Sequence, residues 1–163
     1  MWHRILSSVV VVAVIAGLCG CKSLRWGEKE TPAQAVTMSD VPAPARAAIT
    51  KLMAGGEITK IDREGEGDKA IYDVEGKSQG KNVEYDVAAD GTVLSTEESV
   101  SYASLPQAVR TAAEKYFGSS EGLAANKEIE KGKTFYEVEG KKSGAAVALK
   151  LSDTGRILEE EKE

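Results

Sequence analysis

From residue 38 onward the apolar positions keep two different rhythms. Val41, Ala45, Ala48, Ile49, Leu52 and Met53 recur every three or four residues, as on one side of a helix. Pro42 suits the first turn of that helix, Asp40 is placed to cap it, and Gly55-Gly56 ends it. The period then shortens to two. Ile58–Glu64 is a candidate strand; Lys69–Glu75 alternates, with Tyr72 and Val74 on one face, and Val83, Tyr85 and Val87 alternate again. Asp90-Gly91 reads as a hairpin turn leading to Val93-Leu94.

The same grammar then returns. Leu105, Val109, Ala112, Ala113, Tyr116 and Phe117 form a second helical stripe, opened by Ser104 and Gln107 in capping-box relation and closed by Gly118. Ala124–Glu130, Lys133–Glu139 and the alternating Val147, Leu149 and Leu151 follow, then Thr154-Gly155 and Ile157-Leu158. Tyr72-Asp73-Val74-Glu75-Gly76-Lys77 is echoed by Tyr136-Glu137-Val138-Glu139-Gly140-Lys141, 64 positions later and without a gap. The pattern predicts an α+β protein of two tandem repeats, 38–100 and 101–163, each a helix packed on a three- to four-stranded antiparallel sheet. Units of this size bury only about 60% of their unfolded surface alone, so the two are expected to pack side by side.

Neighbouring strand residues face opposite sides, so Ile71 and Phe135 point away from Tyr72 and Tyr136. If the helices cover the tyrosine side, the other side carries Ile71 among Asp73 and Glu75, and Phe135 among Glu137 and Glu139. These six are the candidate partner-binding residues. Packing of repeat against repeat and scattered surface apolar residues are the competing readings.

Ahead of the repeats, Met1-Trp2-His3-Arg4 is a short positive start, and Ile5–Leu18 is an apolar run too short to span a bilayer comfortably. It ends in Leu18-Cys19-Gly20-Cys21. That ending resembles the lipobox of bacterial lipoproteins, which implies cleavage after residue 20 and lipidation of Cys21; an ordinary secretory signal or an uncleaved anchor is the alternative. Lys22 at the following position departs from the aspartate that the family uses for inner-membrane retention, so the resemblance implies an outer-membrane anchor facing the periplasm. Residues 21–37 are polar and aperiodic and read as a lipidated flexible tether, with Trp26 close enough to the lipid to rest at the interface or to lie idle.

Charge and rare residues narrow the chemistry. A formal net charge of −5, with acids and bases interspersed, disfavours a phosphate-backbone binder. The only histidine is His3, and the only cysteines are Cys19 and Cys21, which leaves the repeats without zinc-ligand chemistry, a disulfide or a histidine-activated nucleophile. No acid lies in an apolar sequence context that marks it as a general acid. Asp86, Asp90, Gly91, Val93 and Glu97 fall at calcium-loop spacing, but Ala88 occupies a ligand position and the flanks are strands. No catalytic residue, metal or cofactor is expected.

The Leu/Val-Pro-x-x-Val/Ala-Arg helix start, the Tyr-x-Val-Glu-Gly strand and the Asp/Thr-Gly-x-Val/Ile-Leu hairpin make residues 38–163 similar to the PepSY-like, β-lactamase-inhibitor-like family of periplasmic and surface proteins. The resemblance implies a helix on an antiparallel sheet and a role in protein binding or inhibition within the cell envelope, without catalytic residues. The expectation is a non-enzymatic, lipid-anchored envelope module that binds an envelope protein or peptide, in some cases a peptidase. The rival is a small-ligand or cation-binding periplasmic lipoprotein, which a pocket lined by Tyr72, Tyr85 and Tyr136 would favour.

Overall fold

The computed structural model describes residues 33–162. The leader, Cys21, Trp26 and most of the expected tether lie outside the described residues.

Among the described residues nine strands form one antiparallel sheet whose spatial order is the chain order. They are β1 (Gln34–Ala35), β2 (Glu57–Glu64), β3 (Ile71–Ser78), β4 (Lys81–Ala88), β5 (Val93–Ser99), β6 (Ala124–Glu130), β7 (Lys133–Lys142), β8 (Ala145–Ser152) and β9 (Ile157–Lys162). Two α-helices interrupt the meander: α1 (Ala43–Leu52) before β2 and α2 (Gln107–Phe117) before β6. The predicted strands 58–64 and 124–130 fall on β2 and β6.

The expectation of two separate helix-on-sheet repeats is overturned by the pairing of β5 with β6. Ser95–Ser99 run antiparallel to Asn126–Glu130 in unbroken register, Ser95 opposite Glu130 and Ser99 opposite Asn126. Two closed units would each have left a strand edge of unpaired N–H and C=O groups, an aggregation hazard. Joining β5 to β6 removes both edges and yields a single continuous sheet. The last residues of the expected tether also join it: Gln34 and Ala35 pair with Arg63 and Asp62, and the Val36 N–H donates to the Ile61 carbonyl.

Directly paired residues of an antiparallel ladder project to the same face. The series Val74–Tyr85–Thr96–Ile129–Thr134 therefore marks one face across β3 to β7. Both helices lie on that face. Val41, Ala45, Ile49 and Met53 of the α1 region pack on Ile61, Tyr72, Val74, Val83 and Val87. Leu105, Val109 and Ala113 of the α2 region pack on Ala125, Val138, Val147, Leu149 and Leu151. The core is thus two clusters on one side of one sheet.

The predicted N-caps are not used, whereas Gly118 closes α2 as its left-handed C-cap. Pro42 and Pro106 occupy the N-cap positions, neither with a side-chain cap. A helix started by proline begins later than Asp40 or Ser104 could reach. Asp40 Oδ2 instead accepts hydrogen bonds from Thr37 N and Oγ1 at 2.9 and 2.7 Å, and Ser104 Oγ donates to the Ser101 carbonyl at 2.6 Å. The two hairpin glycines matter more. Gly91 and Gly155 hold φ of 89° and 79°. A Cβ on Gly91 would stand 2.8 Å from the Pro44 carbonyl oxygen, and one on Gly155 would meet that of Ala108, so each turn lies flush against the start of a helix.

Candidate functional site

The face away from α1 and α2 is where the charges meet. Strand alternation sets the side, and register then lines up residues from different strands in rows. One row runs Lys60–Glu75–Glu84–Glu97–Glu128–Phe135, from β2 to β7. Beside it runs Asp62–Asp73–Asp86–Ser95–Glu130–Lys133. Carboxylates thus stand directly opposite carboxylates over several consecutive strands, an arrangement that costs stability.

Lysines hold the two ends. Lys60 Nζ lies 2.8 Å from Asp62 Oδ2 and 3.0 Å from Glu75 Oε1. Burial works against its charge, but these two carboxylates more than offset it and its pKa is raised. At the other end Lys150 Nζ lies 2.7 Å from Glu128 Oε2, 3.8 Å from Glu130 Oε2 and 4.9 Å from the centre of the Phe135 ring. In the middle, Ser95 Oγ donates to Asp86 Oδ2 at 2.7 Å. Asp73 Oδ1 is buried without a hydrogen-bond partner among the described residues.

This crowding changes how the acids titrate. Burial, then the charges of Asp86 and Glu75, push Asp73 up to about 7. Burial, then Asp73 and Glu97, push Glu84 up to about 9. Burial, then Glu128 and Glu139, push Glu97 up to about 7, and burial also raises Asp86. The sequence expectation that no acid lies in a context marking it as a general acid did not anticipate these shifts: their first cause is burial on the sheet, with the cross-strand carboxylates adding to it, and neither is displayed by local sequence. Among the described residues, no group of three or more His, Cys, Asp and Glu side chains is arranged to hold a metal ion.

All six candidate residues from the sequence project from this open face. Ile71, Asp73 and Glu75 stand on β3, opposite Ala88, Asp86 and Glu84; Phe135, Glu137 and Glu139 stand on β7, opposite Glu128, Asn126 and Ala124. The two trios are not brought together: β4, β5 and β6 lie between them, about 19 Å at the usual strand spacing. Of the residues that fill the gap, Glu84 and Glu128 went unmarked in the sequence, and Asp86 and Glu97 were noted only for a calcium-loop spacing. The alternation of Val83, Tyr85 and Val87 was the available signal for Glu84 and Asp86.

The tyrosines do not converge. Tyr72 is buried in the α1 cluster, Tyr136 packs on the α2 cluster, and both lie on the helix-bearing face. Tyr85 lines a shallow depression of about 180 Å³ on β4–β6 with Val83, Thr96, Lys127 and Ile129. Among the described residues no helix is long and apolar enough to cross a membrane.

Known proteins share this architecture. A BLIP-like protein from Bacteroides fragilis is 24% identical, with a TM-score of 0.55 over 75% of this chain and 86% of its own. A Bacteroides eggerthii structure titled "putative periplasmic proteins" is 14% identical, with a TM-score of 0.61 over 75% and 88%. A DUF2874 family protein from Bacteroides uniformis is 16% identical, with a TM-score of 0.56 over 75% and 89%. These likenesses show the fold. No curated protein matches the chain. Residues 42–97 match the family described as "Peptidase propeptide and YPEB domain". Neither that description nor the inhibitor-like one names a catalytic activity. Residues 70–159, more than half of the chain, match the family described as "Putative beta-lactamase-inhibitor-like, PepSY-like", and the protein belongs to that PepSY-like family.

Proposed function

We propose that the protein is a non-enzymatic binding module of the cell envelope, lipid-anchored through Cys21 at the outer membrane and facing the periplasm, and that it binds another envelope protein through the open face of its sheet. The observation that carries this is the asymmetry of the sheet. Both helices cover one face. The other presents Ile71 and Phe135, half-buried, among carboxylates. An apolar residue set in a charged surround is how protein interfaces are built. Inhibitor-like and propeptide family relatives agree with a protein partner, and periplasmic relatives with the envelope.

The small-ligand reading draws less support from the depression beside Tyr85. The depression on the helix-bearing face is smaller than the roughly 300–1,000 Å³ of ordinary ligand pockets. The test is affinity capture from envelope extract by the full chain and by the Phe135→Asp variant. A protein retained by the first and lost by the second supports the reading; a set of captured proteins that the substitution leaves unchanged refutes it.

A further inference from the structure

We propose, resting on the open face being a protein interface, that the segment docked there is cationic: a lysine- or arginine-rich stretch of another protein laid across β3–β6 along the two carboxylate rows. The protein carries Glu75, Glu84, Glu97 and Glu128 in one unbroken line although each direct pair costs stability. Among the described residues, Lys60 and Lys150 pair with the two ends of that line. Proteins retain such locally unfavourable arrangements chiefly where function needs them.

Charge decides among occupants. A second copy related by a two-fold axis would set this acidic patch against itself. An anionic lipid surface or a nucleic acid would be repelled. No metal-holding cluster exists among the described residues. A cationic segment meets each requirement. An extended chain crossing the strands presents alternate side chains about 7 Å apart, and the long stems of lysine and arginine let each head group reach either row. Ile71 and Phe135 border the acidic centre on β3 and β7, where apolar residues of the same segment can anchor.

The groups that face the centre are mostly acids, opposed by Lys60 and Lys150 from its two ends. Glu84 is influenced by Asp73 and Glu75 from β3, Asp86 from its own strand and Glu97 from β5. Glu97 is influenced by Glu128, Glu139 and Asp86, with Lys150 the opposing charge. Binding of a cation therefore draws off protons and strengthens as pH rises through neutrality.

The test uses the full chain, a short peptide of alternating lysine and alanine, and a glutamate–alanine counterpart, at physiological ionic strength. The lysine peptide is expected to bind and the glutamate peptide not. Glu84→Gln/Glu97→Gln should weaken binding at least about tenfold and abolish the pH slope. Glu66→Gln/Asp68→Asn, which removes two carboxyl groups from the β2–β3 loop instead, should change it by less than about twofold. Absence of lysine-peptide binding, or equal weakening by both double variants, overturns the proposal. If the envelope protein lost on Phe135→Asp still binds Glu84→Gln/Glu97→Gln undiminished, the cationic partner is wrong and the interface stands. If neither variant affects capture, the interface reading itself falls.

Discussion

Glu84 and Glu97 stand directly opposite one another on β4 and β5, on the face away from α1 and α2. Glu75 and Glu128 extend the line on either side. Lysines anchor its ends, and in the centre burial, with the neighbouring carboxylates adding to it, raises the pKa of Glu84 and Glu97.

Stability should therefore depend on pH in the opposite sense to that of a protein held by ionised carboxylates. Asp73, Glu84 and Glu97 are raised in the folded state to about 7, 9 and 7. The folded chain then keeps protons that the unfolded chain releases near pH 4, and stability declines as pH rises from about 4 to about 9. Calorimetry should find the melting temperature falling between about pH 5 and about pH 9. Glu84→Gln should raise it by about 4 °C at pH 8, roughly 1 kcal/mol, and flatten the slope. A melting temperature that climbs to pH 9 contradicts this account.

Lys150 is the more buried of the two lysine clamps, its side chain 11% exposed against 34% for Lys60. Lys150→Met keeps the stem and deletes the charge that holds Glu128. It should cost about 3 kcal/mol in urea unfolding at neutral pH, whereas Lys60→Met should cost about 1 kcal/mol. Equal costs would show that the clamps do not differ in this way.

Two glycines with similar backbones separate strain from collision. Gly144, with φ of 90°, has open space around a would-be Cβ, whereas Gly155 at 79° abuts the Ala108 carbonyl. Gly144→Ala should cost about 1 kcal/mol, the price of the positive φ alone. Gly155→Ala must also displace α2 and should cost about 3 kcal/mol. Urea denaturation of both variants checks the ordering.

Cys21→Ser should move the protein from the membrane fraction to the soluble periplasmic fraction, with its circular dichroism spectrum and melting temperature unchanged. A variant that remains membrane-bound removes lipidation of Cys21 from the proposal.

What the sequence disclosed was local. Alternation at Tyr72-Val74 and Tyr136-Val138 identified the buried side of β3 and β7, and Gly91 and Gly155 marked hairpins, because face and turn are set by neighbouring residues. Pairing partners are not. Nothing within 93–99 or 124–130 states that these strands join, since an alternating strand serves equally well at an edge or in the middle of a sheet. The candidate face was legible in direction only. Ile71, Phe135 and their acidic neighbours were assigned a side correctly, yet their 19 Å separation and the intervening Glu84, Asp86, Glu97 and Glu128 emerge only from register. Each of those acids looks solvent-facing in isolation and becomes distinctive only when opposed by another.

The most direct measurement is cross-saturation in methyl NMR with the captured envelope protein bound. Ile71 lies on the open face, while Ile129 is exposed on the helix-bearing face. The account predicts that saturating the partner attenuates the methyl signals of Ile71 and of its cross-strand neighbour Ala88, leaving that of Ile129 intact. Attenuation of Ile129 with Ile71 untouched would contradict it.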